Sequence, residues 1–242
     1  MSGAGSDRRS RAEDDWLGLV RALVHDLRTP IATASGYLEL VQLDGGELPP
    51  PVPEYLEQAA AALREVSLLA TLVGDVARLE AGRRPLTLAD AEPRRILQRV
   101  VGQRPPRERA QLTIAPQEAG GGPGGLRCDV ELLVRAIDAI VDLAFGRSPS
   151  AGTITLAARR GDGRVRFAVL DQGTAIDEGR LRPLFSHRRD AGESSSAAKL
   201  ALVHARLVAE AHGGSAGATR PAGGGMEFWL ELADEGGSAP LP

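Results

Sequence analysis

A second cysteine, a basic stripe and a long apolar run are all missing from this 242-residue chain, and each absence removes a class of function. Cys128 stands alone, which rules out an internal disulfide or a cysteine-rich zinc site and fits a reducing compartment. Lys and Arg number 29 against 32 Asp and Glu, intermixed along the chain to a net charge of -3. No face is basic enough for a phosphate backbone, so nucleic acid is not expected as a partner. The longest uncharged apolar run, Leu68 to Val73, is far short of the ~20 residues a membrane span needs, and Met1 to Asp15 has no apolar h-region. The expectation is a soluble cytoplasmic protein. Aromatics are only 3% of residues, so the interior has to be made of Leu, Val, Ile and Ala.

Enough apolar sequence is present for two small domains. From Trp16 to Leu43, apolar residues recur at three- and four-residue steps (Leu19, Leu23, Leu27, Ile31, Ala34, Leu38), the period of a helix with one buried stripe. Asp44-Gly45-Gly46 and the Pro49 to Pro53 turn separate it from a second such run, Tyr55 to Leu79, which stops at Gly82. Two helices alone cannot hide stripes this long. Pairing with a second copy into a four-helix bundle is therefore expected, and with it a homodimer. A connector over 83–91 leads to a short helix at Pro93 to Val101, a loop-rich stretch ending in Gly120 to Gly125, and an alternation of strands and helices. Strands are expected at Leu126 to Cys128, Thr153 to Arg159, Val165 to Asp171, Ser215 to Thr219 and Met226 to Leu232, and helices at Val130 to Phe145 and Ala197 to Ala211. The class is α+β, a hairpin over 12–82 followed by an α/β sandwich over 92–234, with disordered tails at 1–11 and 235–242.

His25-Asp26-Leu27-Arg28-Thr29-Pro30 sits in the first helix. Leu23 and Leu27 lie roughly opposite His25 and point into the bundle, which leaves the imidazole wet, with Thr29 one turn away on its face. Asp26 can take the ring proton and free a nitrogen as nucleophile. Pro30 cannot bond the Asp26 carbonyl and is expected to bend the helix. The bland alternative is a solvated surface histidine.

This six-residue stretch resembles, without a gap, the phosphoacceptor box of the two-component sensor histidine kinases. The resemblance implies that His25 is phosphorylated, that Asp26 is the base, that Thr29 positions water for dephosphorylation, and that the face carrying Arg21 and Arg28 docks a receiver domain. From about Asp90 to Ala233 the chain resembles, more weakly, the catalytic domain of the same kinases, a fold shared with gyrase and the Hsp90-type chaperones. Asp171-Gln172-Gly173-Thr174-Ala175 aligns with the family's Asp-x-Gly-x-Gly, where the Asp reads the adenine amino group; Ala175 replaces the last glycine. His212-Gly213-Gly214 matches the family's His-Gly-Gly, although His212 also reads as an ordinary helix cap favoured by the dipole.

Other positions depart from that pattern. The family's two asparagines fall on Ala139 and Leu143, and Leu supplies no oxygen for the magnesium that the second would bind. A one-residue slip places Asp138 and Asp142 there instead, which could hold a metal at the cost of the match at Ala144. The glycine-rich lid becomes Ala197-Ala198-Lys199-Leu200-Ala201-Leu202, so the glycines that let backbone N–H groups reach phosphates are gone. Lys199 can attract a phosphate or can simply be a solvated helix end. His187 and His204 read as ordinary surface or boundary residues.

The expectation is a histidine phosphotransfer protein of a phosphorelay, moving a phosphoryl group on His25 between response-regulator receiver domains without sensor or receiver domains of its own. No cofactor is expected on this chain: magnesium belongs to the receiver, no metal is assigned here, and ATP binding is doubtful. The alternatives are a divergent ATP-dependent kinase, supported by Asp171 and Gly173, and a non-catalytic pseudokinase that binds a regulator or a kinase.

Overall fold

The computed structural model describes residues 20, 23, 27–41, 52–116, 125–150, 152–186 and 195–234. The chain divides into two compact units, Met1–Asp75 with His187–Leu200, and Val76–Ser186 with Ala201–Pro242.

In the first unit, residues 27–41 form helix α1, with Val20 and Leu23 also helical, and α2 runs Val52–Glu80. Small residues let the two helices approach: Ala34, Ala59 and Ala62 make one buried cluster, and Tyr37 stacks on Tyr55 with ring centroids 5.5 Å apart. The rest of the expected stripe is only partly covered within one chain. Ile31 and Leu38 on α1, and Leu56 and Leu63 on α2, remain 41–49% exposed. Each pair is seven residues apart, so each lies on one side of its helix.

The second unit is an α/β sandwich. Its helices are α3 (Pro93–Gly102), α4 (Pro106–Arg109), α5 (Val130–Arg147), α6 (Glu178–Leu184) and, from Ala201 onward, α7 (Ser196–Ala211). Strands β1 (Ala89–Ala91) and β3 (Leu126–Cys128) pair antiparallel; β2 (Leu112–Ile114), β4 (Ile154–Gly161), β5 (Arg164–Leu170), β6 (Ser215–Thr219) and β7 (Glu227–Ala233) form a sheet in the order β2-β4-β5-β7-β6. Among the described residues only β2 and β4 run parallel. The β4–β5 hairpin turns at Asp162-Gly163, both at positive φ, which matches strand twist in a two-residue loop.

Alternation along the strands sends Ile154, Leu156, Val165, Phe167, Val169, Phe228, Leu230 and Leu232 to one face, where Ile96, Leu97 and Val100 of α3, Ile137, Ile140 and Ala144 of α5, and Leu202 and Ala205 of α7 cover them. Phe167 and Phe228 are almost wholly buried, worth roughly 2–3 kcal/mol each. The opposite face is polar: Arg166 pairs with Glu231 and stacks 4.2 Å over Trp229, which lies flat against Gly217.

The elements expected from the sequence are present, with described ends moved by at most three residues; both ends of the first helix lie outside the described residues. Four were not anticipated: β1, which takes the last three connector residues, and β2, α4 and α6, which occupy stretches read as loop. The expected tails at 1–11 and 235–242 lie outside the described residues.

Candidate functional site

On α1, Arg28 and Thr29 are exposed, Pro30 is buried and Leu23 is fully inward, as the helical period requires. Arg21, His25 and Asp26 lie outside the described residues, so the outward aim of the imidazole stands as an expectation.

In the second unit Asp171, Gly173 and Ala175, the aligned base-reading segment, follow directly on the end of β5. Asp171 follows Leu170 and exchanges bonds with Met226: its N–H donates to the Met226 carbonyl at 2.9 Å, and the Met226 N–H donates to its Oδ1 at 2.9 Å. The Gly173 N–H also donates to Oδ1, at 3.0 Å. Arg147, in the last turn of α5, completes the set: Nε donates to Asp171 Oδ2 at 2.5 Å and Nη2 to the Thr174 carbonyl at 2.6 Å, with the guanidinium 5.5 Å from the centre of the Phe228 ring. The Asp171 side chain has no exposed surface. A side chain at residue 173 would come within 2.6 Å of the Arg147 carbonyl, so Gly173 is required by packing alone. Ala175, two residues on, is exposed.

On α5, Ala139 is buried and Leu143 packs against the core. Asp138 and Asp142, one turn apart, both engage Arg104 from beyond the end of α3. Its Nε donates to Asp138 Oδ1 at 2.7 Å, its Nη2 to the Asp138 carbonyl at 2.7 Å, and its Nη1 to Asp142 and to Glu108. Burial pushes the Asp138 carboxyl up to about 6; Arg104 pulls against this, while Asp142 and Glu108 add to it. Folded Asp138 therefore keeps its proton at pH values where the unfolded chain has lost it, so its contribution to stability falls as pH rises from about 4 through 6. Thermal melts across that window should slope downward with pH, and Asp138→Asn should flatten the slope. Arg104→Met strands the carboxylates and should cost about 2–3 kcal/mol at pH 7, with Asp142's partial exposure moderating the loss; chemical denaturation measures it.

The segment aligned with the lid is helix. Ser195 caps α7, its Oγ accepting from the Ala198 N–H at 3.1 Å and its carbonyl from the Lys199 N–H at 3.1 Å. Leu200, Ala201 and Leu202 are buried and Lys199 is half-buried. The helix closes on Gly213 at positive φ, with the Gly214 N–H donating back to Ala209. His212 clips this end to the start of α5: its Nε2 accepts from the Asp129 N–H at 2.9 Å, which leaves the hydrogen on Nδ1 to reach the Val208 carbonyl at 2.7 Å. Asp129 in turn caps α5 through Leu132.

Residues 16–82 match the His Kinase A (phospho-acceptor) domain, and residues 128–236 match the histidine kinase-, DNA gyrase B-, and HSP90-like ATPase family. The chain belongs to the two-component sensor histidine kinase family. It is 30% identical over 229 residues to the sensor protein DivL of Caulobacter vibrioides, a match covering 92% of this chain and 28% of that one. It is 26% identical over 239 residues to the sensor protein KdpD of Mycobacterium tuberculosis, covering 93% and 26%. The chain thus spans only about a quarter of the length of these relatives. Among solved structures, full-length ShkA in complex with AMPPNP aligns at a TM-score of 0.61 and 27% identity over 93% of this chain and 47% of that one. Histidine kinase AdeS of Acinetobacter baumannii aligns at 0.60 and 17% over 87% and 98%, and ThkA in complex with response regulator protein TrrA at 0.59 and 16% over 98% and 67%.

Within this kinase-family fold, two arginines went unnoticed in the sequence. Arg104 and Arg147 follow or end helices, where a basic residue usually signals only a favourable dipole. Only the folded chain reveals that each meets a carboxylate. His204 corrects the surface or boundary reading, because its ring is fully buried on α7. It lies four residues from both Leu200 and Val208, each buried, and that spacing was the available signal. His212 keeps its structural role as a hydrogen-bonded clip between the end of α7 and the start of α5. His187 lies outside the described residues.

Proposed function

We propose that this kinase-family chain is a cytoplasmic phosphotransfer protein whose second domain has become a scaffold. Its phosphoryl group would come from, and go to, receiver-domain aspartates. In the charging step the receiver's acyl phosphate P–O bond breaks, a P–N bond forms to the His25 ring, and Asp26 takes the ring proton; discharge reverses these changes. The receiver keeps the carboxylate that leaves, and magnesium on the receiver supplies charge neutralisation. The exposed Arg28 and Thr29, with Arg21, would form the docking face.

The observation that carries the reading is the helical start of α7. Phosphate cradles need free backbone N–H groups, whereas the Ala198 and Lys199 N–H groups are already bonded to Ser195. Two further observations support it. Leu143 offers no oxygen to a cation, and Asp138 and Asp142, the alternative donors, are both engaged by Arg104. The residues present do not fit magnesium–ATP. The ThkA structure, which contains the response regulator protein TrrA, supports a receiver as partner. The reading is tested by relay: label on one phosphorylated receiver should pass to a second only when this protein is added, and passage without it, or none with it, would remove the proposal.

The exposed Ile31, Leu38, Leu56 and Leu63 support the homodimer, since a second hairpin would cover them. Leu38→Glu with Leu63→Glu should convert a species of twice 25.4 kDa into one of 25.4 kDa by light scattering. A single 25.4 kDa species for the unmodified protein would exclude the dimer. A second reading, an active ATP-dependent kinase, is favoured by retained Asp171 and Gly173 and by the AMPPNP complex of ShkA; micromolar ATP affinity would select it.

A further inference from the structure

The α5–β5 junction holds a buried carboxylate whose three donors all belong to the chain itself. Backbone N–H groups of Gly173 and Met226 serve Asp171 Oδ1, and Arg147 Nε serves Oδ2. A carboxylate aimed at a ligand has to present an acceptor to solvent in the free protein, yet this one presents none, its side chain being wholly unexposed while Arg147 above it remains one-fifth exposed. Arg147 is held on three sides, by Asp171, by the Thr174 carbonyl and by the face of Phe228. It is bonded to a carboxylate that has no exposure while keeping some of its own. A planar cation that donates N–H groups and packs on an aromatic ring reproduces what an aminopurine offers in the same place: an N–H donor in plane and a flat face.

We propose that Arg147 is a built-in occupant of the base-reading site, so that the second domain carries its own stand-in for adenine and is closed to nucleotides at the base as well as at the phosphates. This rests on the phosphotransfer reading and extends it. The loss of nucleotide binding then has two separable causes, and removing the plug restores recognition of the base without restoring recognition of the phosphates.

The test compares the unsubstituted protein with Arg147→Ala and Arg147→Met by calorimetry against adenosine, inosine and magnesium–ATP. Met keeps an apolar stem against Phe228 but offers Asp171 no donor, and serves if the Ala variant does not fold. Adenosine should bind the variants at least roughly tenfold more tightly than the unsubstituted protein. Inosine, whose oxo group replaces the amino donor, should gain nothing, and adding Asp171→Asn should abolish the effect. ATP should bind the variants no better than adenosine does. Methylguanidinium should raise the melting temperature of Arg147→Ala and leave that of the unsubstituted protein unchanged. Folded variants that bind adenosine no better than the unsubstituted protein, or that gain adenosine and inosine equally, would overturn the plug and leave the phosphotransfer reading standing. Failure of receiver-to-His25 transfer, with adenosine binding gained, would do the reverse. Micromolar ATP binding by the unsubstituted protein would end both.

Discussion

His25→Gln should reduce phosphoryl transfer from a phosphorylated receiver to background, a loss of roughly a thousandfold or more, because removing the nucleophile removes the reaction and not one stabilising contact. Gln preserves the polarity and approximate size of the ring, so the helix should be undisturbed and the melting temperature nearly unchanged. Asp26→Asn should be milder, since an amide still holds the ring but cannot take its proton; about a hundredfold is the scale of general-base assistance. The separation between the two variants matters, because a surface histidine without a chemical role would give neither. A His25→Gln protein with full activity in the cell would point to the pseudokinase that acts by binding, and the transfer assay distinguishes that case from the relay.

Restoring the family's glycines in the lid should destabilise the protein without creating a nucleotide site. Ala197→Gly, Lys199→Gly and Ala201→Gly together place three glycines in the opening turns of α7, at up to about 1 kcal/mol each for a helix interior, or about 2–3 kcal/mol in sum. Ala201 is buried, so its substitution also loses packing. The same triple variant should still fail to bind magnesium–ATP, because Leu143 remains without an oxygen and Arg147 remains on Asp171. Denaturant titration reads the first effect and calorimetry the second. Stability equal to that of the parent, with ATP bound, would show that the segment is a lid held in reserve and that α7's first turns are not structural.

How legible the chain was depends on the range over which each interaction acts. The helical stripes announced themselves because every third or fourth residue repeats the same instruction, and Leu23, Ala34, Ala59 and Leu72 are buried as their spacing required. Strands β4, β5 and β7 were legible for the same reason at period two. By contrast β1 and β2 have three residues each, too few to display a period, and their existence depends on the partners β3 and β4. Helix α6 has seven residues and an internal Pro183, which argues locally against a helix. At the candidate site, Asp171 and Gly173 were found through their motif, but Arg147 lies 24 residues from Asp171 and Arg104 lies 34 from Asp138. No local pattern couples a helix-end arginine to a carboxylate that far away. Folding brings them together, so that Asp171 holds Arg147 and Asp138 holds Arg104.

The most direct test supplies the unsubstituted protein with two labelled donors in parallel: ATP with magnesium, and a phosphorylated receiver domain. The predicted result is acid-labile label on His25 from the receiver and none from ATP. Label arriving from ATP in the absence of any receiver would contradict the account.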